Sequence, residues 1–517
     1  MLYAEAPGRS RLARAILFAG WFAIALFMVV RHALWRDEVR ALSIALAGDS
    51  IPAMLRVLHG EGHPALWYLM LRGAHALLPV RQVLPAVGFA VAAASAALFA
   101  FRAPFRPFVI ALTLSSAFML DEYAALARNY GIAMLMLFVL AIVYERWRDR
   151  GIAVGLVLAL LCNTNVPAAL LAASFLLFRL VELVSEEGLK WGPKYRLFLI
   201  NAAIAACGAL ICFVTVFPTV HDAAPIDLTG RLGIGSLARD VLHPASSFRE
   251  LLPKAMREQH VALALLDVAI WGSLLGLLRR PAAFLSGAAA LVGFEAFFQL
   301  VYPGFYRHQC LLLVYLLTLH WLAAEGCGGR WGLAWADGVS VRRAAAFGQA
   351  MFLLLLLFQL VNAVGKVAAE VEGVPKSRSR DLALVLKQDH LTNAVVIADP
   401  DMVLEALPYY ARNPIYFMRE QRFGHVVRFT RRVRTELSLD DYLDDGRALR
   451  ARTGLPVVIV LRQRIDPSSP PFRIHEAMTW SFSGTRAQIG RFLGATQRLA
   501  RFAPAVSDES YDVYLLK

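Results

Sequence analysis

The chain has 517 residues, of which 58% are hydrophobic and only 18% are charged. Soluble domains carry about 25% charged residues, so the composition excludes an ordinary soluble protein and predicts an integral membrane protein. The formal net charge is +14. Much of it falls in short segments between apolar runs, as expected for cytoplasmic loops, so nucleic acid is not an expected partner.

The first apolar run, residues 15–30, follows a basic flank that contains Arg11 and Arg14. No convincing small-residue cleavage site follows it, so we expect a retained first span with a cytoplasmic N-terminus. Residues 31–82 then form the first external loop. Within it, Asp49-Ser50-Ile51-Pro52 predicts a helix start. The apolar run 63–78 is too short to cross a bilayer, which takes about 20 residues, and we expect an interfacial helix there.

Ten further apolar runs predict about eleven spans in all. Residues 218–260 form a second external loop. The basic clusters at 102–106 and 145–150 are both cytoplasmic only if 63–78 does not cross. The acidic pairs Asp37-Glu38 and Asp121-Glu122 then lie on the same, outer face. The runs are residues 83–101, 108–120, 131–143, 152–162, 166–180, 197–217, 261–278, 284–301, 311–324 and 345–364.

The chain changes character after residue 365, so we divide it into a membrane domain, 1–365, and an external domain, 366–517. Buried strands are predicted at 394–399, 414–418, 456–461 and 511–516, and helices at 402–411 and 439–452. Apolar strands alternating with helices favour an α/β domain with a largely parallel sheet. It has no glycine-rich phosphate loop, so no nucleotide is expected.

Asp37 and Glu38 follow the first span directly. In the functional interpretation, Asp37 is a general base that takes a proton from an acceptor hydroxyl, helped by a low-dielectric surface that raises its pKa. Glu38 is a second catalytic candidate. The structural alternative is that both carboxylates cap the helix that starts near residue 39.

Two other predicted external turns supply candidate ligands for a substrate. Asp121 and Glu122 would position an acceptor, while Arg128 and Tyr130, shortly after them, would contact a phosphate. The alternative is an ordinary polar turn between spans.

Arg307 and His308 precede another predicted span and would hold a lipid-linked phosphate, since a bidentate arginine matches phosphate geometry. The alternative for this aromatic-rich segment is an interfacial belt. His63 would orient Asp37 or the acceptor if the first loop folds over the carboxylates; a structural role at a helix start is the alternative.

No segment has strong metal-ligand spacing, so we expect no metal cofactor. Asp37 with Asp121 or Glu122 would be the candidate ligands if a divalent cation were shared. The five cysteines lie in or beside apolar segments and have no C-x-x-C spacing. They are interpreted as packing residues.

In order along the chain, these features resemble a known family. Asp37-Glu38 follows the first span, His63-Pro64 opens an interfacial helix, Asp121-Glu122 lies at an outer turn, and Tyr306-Arg307 precedes a later span. The pattern is similar to the glycosyltransferase C superfamily. The nearest resemblance is to bacterial relatives of dolichyl-phosphate-mannose protein mannosyltransferases and to lipid A aminoarabinose transferases. Relatives often have a second proline where this chain has Ala65.

The resemblance implies an inverting membrane glycosyltransferase with a polyprenyl-phosphate sugar as donor and Asp37 as base. The acceptor would be a cell-envelope glycan, lipid or protein outside the cytoplasm, at a bacterial inner membrane. Two alternatives remain open. A lipid-carrier transporter or flippase would place charges along a path through the spans, whereas a non-catalytic assembly protein would tolerate loss of Asp37.

Overall fold

The computed structural model describes residues 2–3, 11–217, 234–332, 338–430, 432–475 and 480–517. Its first part is helical. Seven of the described helices are long and apolar enough to cross a membrane, and a bent pair makes an eighth candidate. The chain is a multi-pass helical membrane protein with a C-terminal domain that contains strands, as predicted.

The helices of the membrane domain are α1 (Arg11–Arg31), α2 (Arg36–Ala45), α3 (Ile51–Leu58), α4 (Leu66–Leu77), α5 (Val83–Arg102), α6 (Pro107–Leu114), α7 (Tyr130–Trp147), α8 (Ala153–Cys162), α9 (Val166–Glu187), α10 (Pro193–Val216), α11 (Ile234–Leu242), α12 (Ala245–Phe248), α13 (His260–Leu275), α14 (Pro281–Leu300), α15 (Tyr306–Ala324) and α16 (Val339–Glu372).

Each predicted span coincides with a helix or helix pair, but the number eleven stays a prediction. The span predicted at 108–120 is α6 followed by a π-helical turn, Phe118–Ala125, with a bend of 45° between them. Helices α8 and α13 are shorter than 18 residues, and α15 opens with polar side chains. Part of the predicted loop 218–260 lies outside the described residues, and its remainder contains α11 and α12.

The first loop, residues 31–82, folds into α2, α3 and α4. Helix α3 begins where the sequence predicts, because Ser50 Oγ accepts a hydrogen bond from the Ala53 amide (3.3 Å) and Pro52 occupies the first turn. Helix α4 has 12 residues, too few to cross a bilayer. Its Trp67, Tyr68 and Leu71 are buried, so this helix packs on the loop rather than spanning.

The described residues of the C-terminal domain contain four α-helices and nine strands. They are α17 (Ser379–Leu386), α18 (Leu407–Tyr410), α19 (Leu439–Thr453), α20 (Arg486–Ala495), β1 (Val395–Asp399), β2 (Tyr416–Phe417), β3 (Arg422–Phe423), β4 (Glu436–Ser438), β5 (Val457–Leu461), β6 (Phe472–His475), β7 (Ser481–Gly484), β8 (Thr496–Phe502) and β9 (Tyr511–Leu516).

The prediction of a largely parallel sheet is wrong. The main sheet has the order β1-β5-β9-β8, in which only β1 and β5 pair in parallel. The apolar strands β1 and β5 are fully buried, which is the pattern that suggested a parallel sheet. However, the terminal strand β9 returns antiparallel beside β5. The sequence also did not predict the second sheet, β4-β7-β6. The helix predicted at 402–411 is instead a 3₁₀ turn, Asp401–Leu404, followed by the short helix α18.

The C-terminal domain holds the first loop in place. Arg36 donates its amide to Glu509 (2.9 Å) and pairs with Asp508. Arg40 pairs with both Glu405 and Glu61. Both arginines lie on α2, one on each side of Asp37. The helix that carries the candidate base is therefore fixed to the C-terminal domain by ion pairs.

Candidate active site

Asp37 lies against a cation contributed by a distant segment. Arg128 follows the π-helical turn and donates a hydrogen bond to Asp37 Oδ2. The Asp37 side chain is 27% exposed, whereas Arg128 is 9% exposed. The sequence therefore correctly placed these two residues on one face. One side of the Asp37 carboxylate stays open to an incoming group.

The pKa of Asp37 is lowered, contrary to the expectation. Burial by itself raises it, but the positive charges of Arg128, Arg307 and Arg36 outweigh burial and lower the pKa. Asp37 is consequently ionised at neutral pH. The error came from considering the apolar surroundings without the arginines that the fold brings to the carboxylate.

His63 completes the contact with Arg128. Its Nε2 atom is 3.2 Å from an Arg128 nitrogen, and because a guanidinium is only a donor, this ring nitrogen accepts. Burial, followed by the charges of Arg128 and Arg307, lowers the pKa of His63 to about 3. His63 is thus a neutral acceptor that orients Arg128, and it reaches Asp37 through that arginine.

Arg307 approaches the same place from α15. Its guanidinium lies 5.9 Å from the centre of the Tyr130 ring, and that of Arg128 lies 5.7 Å from the same ring. The Arg307 Nε atom is buried and has no hydrogen-bond partner. Within the described part of the chain, this guanidinium forms no ion pair. It is a cation without an anion at the centre of the cluster.

Tyr130 and His308 form a fixed pair beside the two arginines. The Phe305 amide donates to His308 Nδ1 (3.1 Å), so this nitrogen carries the lone pair. His308 Nε2 therefore carries the proton and donates to the Tyr130 hydroxyl oxygen, 2.8 Å away. The Tyr130 hydroxyl hydrogen is left to point at another acceptor, so Tyr130 rather than His308 is suited to contact a ligand.

Glu38, the second catalytic candidate, is held in place by neighbouring backbone and side-chain groups. It is fully buried. Its Oε1 accepts from the Ala127 amide (2.6 Å), and its Oε2 contacts His32 Nε2 (2.8 Å) and accepts from the Trp35 amide (3.2 Å). The capping alternative from the sequence fits these contacts. Because Ala127 directly precedes Arg128, Glu38 also fixes the segment that carries this arginine.

Asp121 and Glu122 do not share the ion-pair partner of Asp37. Asp121 pairs with Lys366 of α16 (2.8 Å). Glu122 is buried; its side chain makes no ion pair or hydrogen bond with a described residue, but its charge acts on Arg307 and Lys366. Asp37 and Asp121 thus contact different cations. Their joint approach to one divalent cation, considered from the sequence, has no support in these contacts.

His32, Lys366 and Lys376 were not recognised as site residues from the sequence. Lys376 lies over the Trp35 ring at 5.1 Å. His32 and Lys366 each end an apolar run, and this position at a span boundary is the signal that could have identified them. Among the described residues, no three His, Cys, Asp or Glu side chains are grouped for a metal ion.

We expect Glu38→Gln to lower the melting temperature of the purified protein more than replacement of any other carboxylate in the first loop by its amide. Breaking a buried ion pair costs about 3–5 kcal/mol, and the amide cannot satisfy His32 and two backbone amides together. Glu258→Gln, at a position where the side chain is 89% exposed, is the control. Equal melting temperatures for the two variants would contradict the structural role.

The His32–Glu38 pair also has a pH signature. Burial alone lowers the pKa of His32, but Glu38 outweighs it and raises the pKa to about 9. Because the pKa of His32 is higher in the folded than in the unfolded state, protonated His32 stabilises the folded protein fully at pH values below the unfolded pKa of about 6.5. This stabilisation is lost as the pH rises through about 9.

Comparison with known proteins gives little beyond the fold. No protein-family model matches the chain, and no curated protein matches it. Solved structures similar to it include two crystal structures of ArnT from Cupriavidus metallidurans, one bound to undecaprenyl phosphate and one in the apo state. Their sequence identities are 14% and 13%, respectively. Each has a TM-score of 0.47, with 99% of this chain and 98% of that chain covered.

Proposed function

We propose that this protein is a membrane glycosyltransferase. It moves a sugar from a polyprenyl-phosphate donor to a cell-envelope acceptor outside the cytoplasm, at a bacterial inner membrane. The observation that carries the proposal is the position of Asp37. An ionised, partly open carboxylate lies beside Arg128, and the unpaired cation of Arg307 lies across the ring of Tyr130.

The donor phosphate would bind between Arg307 and Arg128. Arg307 has donors without acceptors, which a phosphate would satisfy. The Tyr130 hydroxyl hydrogen, left free by the His308 contact, is one further donor. The apolar surfaces of neighbouring helices suit a polyprenyl tail. Exposed apolar side chains at the end of α1, which leads into the loop that carries Asp37, are an example, with Phe27 40% and Val30 70% exposed.

In the proposed reaction, Asp37 takes the proton from an acceptor hydroxyl. The acceptor oxygen attacks the anomeric carbon as the bond from that carbon to the phosphate oxygen breaks. The phosphate leaves with the electron pair, and the anomeric carbon is inverted. The two arginines stabilise the negative charge that develops on the leaving phosphate.

Arg128 links donor binding to the strength of the base. While Arg128 contacts Asp37, the carboxylate is a weak base because its pKa is low. A phosphate that draws Arg128 toward itself removes the largest lowering influence and raises the Asp37 pKa. The base would thus strengthen only when the donor is in place.

This coupling predicts the behaviour of Arg128→Gln. We expect the acid limb of the pH profile of kcat/KM, which reports the free enzyme, to move to higher pH, because the cation that most lowers the Asp37 pKa is gone. We also expect a lower maximal rate, since one phosphate contact is lost. Arg102→Gln, at the exposed end of α5, should leave the profile unchanged. An unmoved acid limb in Arg128→Gln would contradict the coupling.

The proposal is tested by mass analysis of envelope glycolipids, polysaccharides and glycoproteins in a deletion strain. The strain is complemented with the wild type or with Asp37→Asn. We expect a sugar-bearing product that the wild type restores and Asp37→Asn does not. If deletion changes no glycan, the function is wrong. If both genes restore the product equally, the protein acts without this base.

A further inference from the structure

Two arginines of α2 lie on either side of Asp37 in the sequence, and each forms an ion pair with a buried carboxylate of the C-terminal domain. The Arg36 amide donates to Glu509 Oε1 (2.9 Å), and the Arg36 guanidinium lies 3.4 Å from the same oxygen. Arg40 pairs with Glu405. Glu509 is 0% exposed and Glu405 is 1% exposed. Removing one partner of a buried ion pair is strongly unfavourable, so both attachments are firm.

Both carboxylates are fixed within the C-terminal domain. Glu405 follows the 3₁₀ turn after β1, and its Oε1 accepts from the Val427 amide (2.7 Å). Glu509 lies just before β9, and its Oε2 accepts from the hydroxyls of Ser379 (3.5 Å) and Tyr511 (3.4 Å). Strands β1 and β9 both pair with β5. The two carboxylates are therefore attached to one sheet, which sets the distance between them.

The spacing of the two arginines fixes the rotation of α2 about its axis. Arg36 and Arg40 are four residues apart, so their side chains leave the helix within about 40° of each other. Two attachments on one face, one turn apart, restrict both the direction and the rotation of the helix. Asp37 leaves the helix about 100° from Arg36. Its contact with Arg128, which belongs to a separate segment, therefore depends on this rotation.

The same attachments restrain the Arg36 side chain. Its Nε atom lies 3.8 Å from Asp37 Oδ1, while its Nη1 atom pairs with Asp508 and Glu509. The two carboxylates of the C-terminal domain draw this guanidinium away from Asp37. Without them, Arg36 would be free to form a closer ion pair with Asp37 and to compete with an acceptor hydroxyl for the carboxylate.

We propose that Glu405 and Glu509 are positioning residues for the base. Acting through Arg40 and Arg36, they hold α2 at the rotation at which Asp37 contacts Arg128 and stays open to the acceptor. This inference rests on the proposed function, in which Asp37 is the base. It gives the C-terminal domain a part in the chemical step, because the base is in place only while that domain is packed against α2.

The first test compares E405Q with the matched control E61Q. Both carboxylates pair with Arg40, but Glu61 belongs to the same loop as Arg40, whereas Glu405 belongs to the C-terminal domain. The lipid-linked sugar that accumulates in the deletion strain serves as donor. We expect E405Q to lower kcat about a hundredfold, the loss that a misplacement of about 1 Å can cause. The KM for the donor and undecaprenyl-phosphate binding should stay at the wild-type level. E61Q should change none of these quantities.

Two results of the first test overturn the positioning role. One is a wild-type kcat in E405Q while Asp37→Asn is inactive, in which case the transferase function stands and the inference fails. The other is an equal loss in E405Q and E61Q, which would mean that Arg40 needs a negative partner but not the C-terminal domain. Wild-type activity in Asp37→Asn would instead contradict the role of the base itself.

The acid limb of the pH profile of kcat/KM separates lost positioning from lost charge. Removal of a nearby carboxylate by itself lowers the pKa of Asp37 and moves the limb to lower pH. Loss of the Arg128 contact raises this pKa, although Arg307 and Arg36 remain near, and moves the limb to higher pH. We expect E405Q to move it to higher pH in the wild type but no further in R128Q. A shift to lower pH in E405Q, or equal upward shifts in both backgrounds, would overturn the inference.

The third test measures amide hydrogen exchange of the full chain and does not depend on activity. We expect faster exchange over residues 36–45 in E405Q and in E509Q, with unchanged exchange over residues 260–275, which form α13. E436Q is the control, since the Glu436 side chain is 71% exposed on the C-terminal domain. Unchanged exchange over residues 36–45 would overturn the attachment of α2. Faster exchange over residues 260–275 as well would make the two carboxylates part of the general fold and overturn their specific role.

Discussion

Asp37→Asn is expected to lower the rate of sugar transfer by about a thousandfold, within the range for general base catalysis. The amide keeps the shape of the side chain but cannot take the proton from the hydroxyl of the acceptor. The pKa of Asp37 is lowered chiefly by Arg128, so the wild-type carboxylate is ionised throughout the neutral range. Raising the pH therefore cannot restore the variant. The measurement is product formed per enzyme from an added polyprenyl-phosphate sugar in wild-type and variant membranes.

Two companion variants separate chemistry from folding. Asp444→Asn removes a carboxylate that is 73% exposed on the C-terminal domain and should keep the wild-type rate. Asp37→Glu keeps the charge but displaces it, so we expect a rate between those of wild type and Asp37→Asn. A thousandfold loss with an unchanged melting temperature supports the base. Equal losses in Asp37→Glu and Asp37→Asn, with lowered melting temperatures in both, would indicate a structural role.

The sequence predicted the meeting of distant loops because membrane topology restricts where loops can go. Asp37 and Arg128 are 91 residues apart, yet counting spans places both on one face. The same count places Arg307 with them, and the structure brings all three together. Long apolar runs are a strong signal, since backbone polar groups in lipid must be satisfied within a helix. Hydropathy does not determine how a short or bent apolar run, such as residues 108–120, crosses the membrane.

The roles of neighbouring carboxylates could not be predicted from the sequence. Asp37 and Glu38 are adjacent, but successive side chains on a helix point about 100° apart. One therefore faces the arginines and the other the buried His32. Asp121 presents the same difficulty, because its partner Lys366 lies 245 positions later, near the end of α16. These pairings depend on helix rotation and packing, for which a single sequence has no local signal.

The prediction of a largely parallel sheet in the C-terminal domain failed for a related reason. Fully buried strands such as β1 and β5 are apolar on both faces whether their neighbours run parallel or antiparallel. The direction of β9 depends on where the chain re-enters the sheet after α20. That path is set by tertiary contacts.

Arg307→Gln is expected to have the second-largest effect, a fall in transfer rate of about a hundredfold to a thousandfold. In the proposed reaction, the guanidinium stabilises charge on the leaving phosphate. Its buried Nε atom has no acceptor among the described residues, so we expect its hydrogen-bonding capacity to be available to a ligand. Undecaprenyl-phosphate binding should weaken as well. Arg307→Lys should recover part of the rate, since it restores the charge without the bidentate geometry.

The stability of Arg307→Gln distinguishes a ligand-binding cation from a structural one. An arginine that holds the fold together lowers the melting temperature when it is removed. Arg307 forms no ion pair with a described residue and interacts with the charges of Asp37 and Glu122 only at longer range, so its removal should change the melting temperature little. Arg102→Gln, on the exposed end of α5, controls for loss of charge alone. A lowered melting temperature together with wild-type undecaprenyl-phosphate binding would remove Arg307 from the donor site. An unchanged or higher melting temperature with lost binding would place the donor phosphate there.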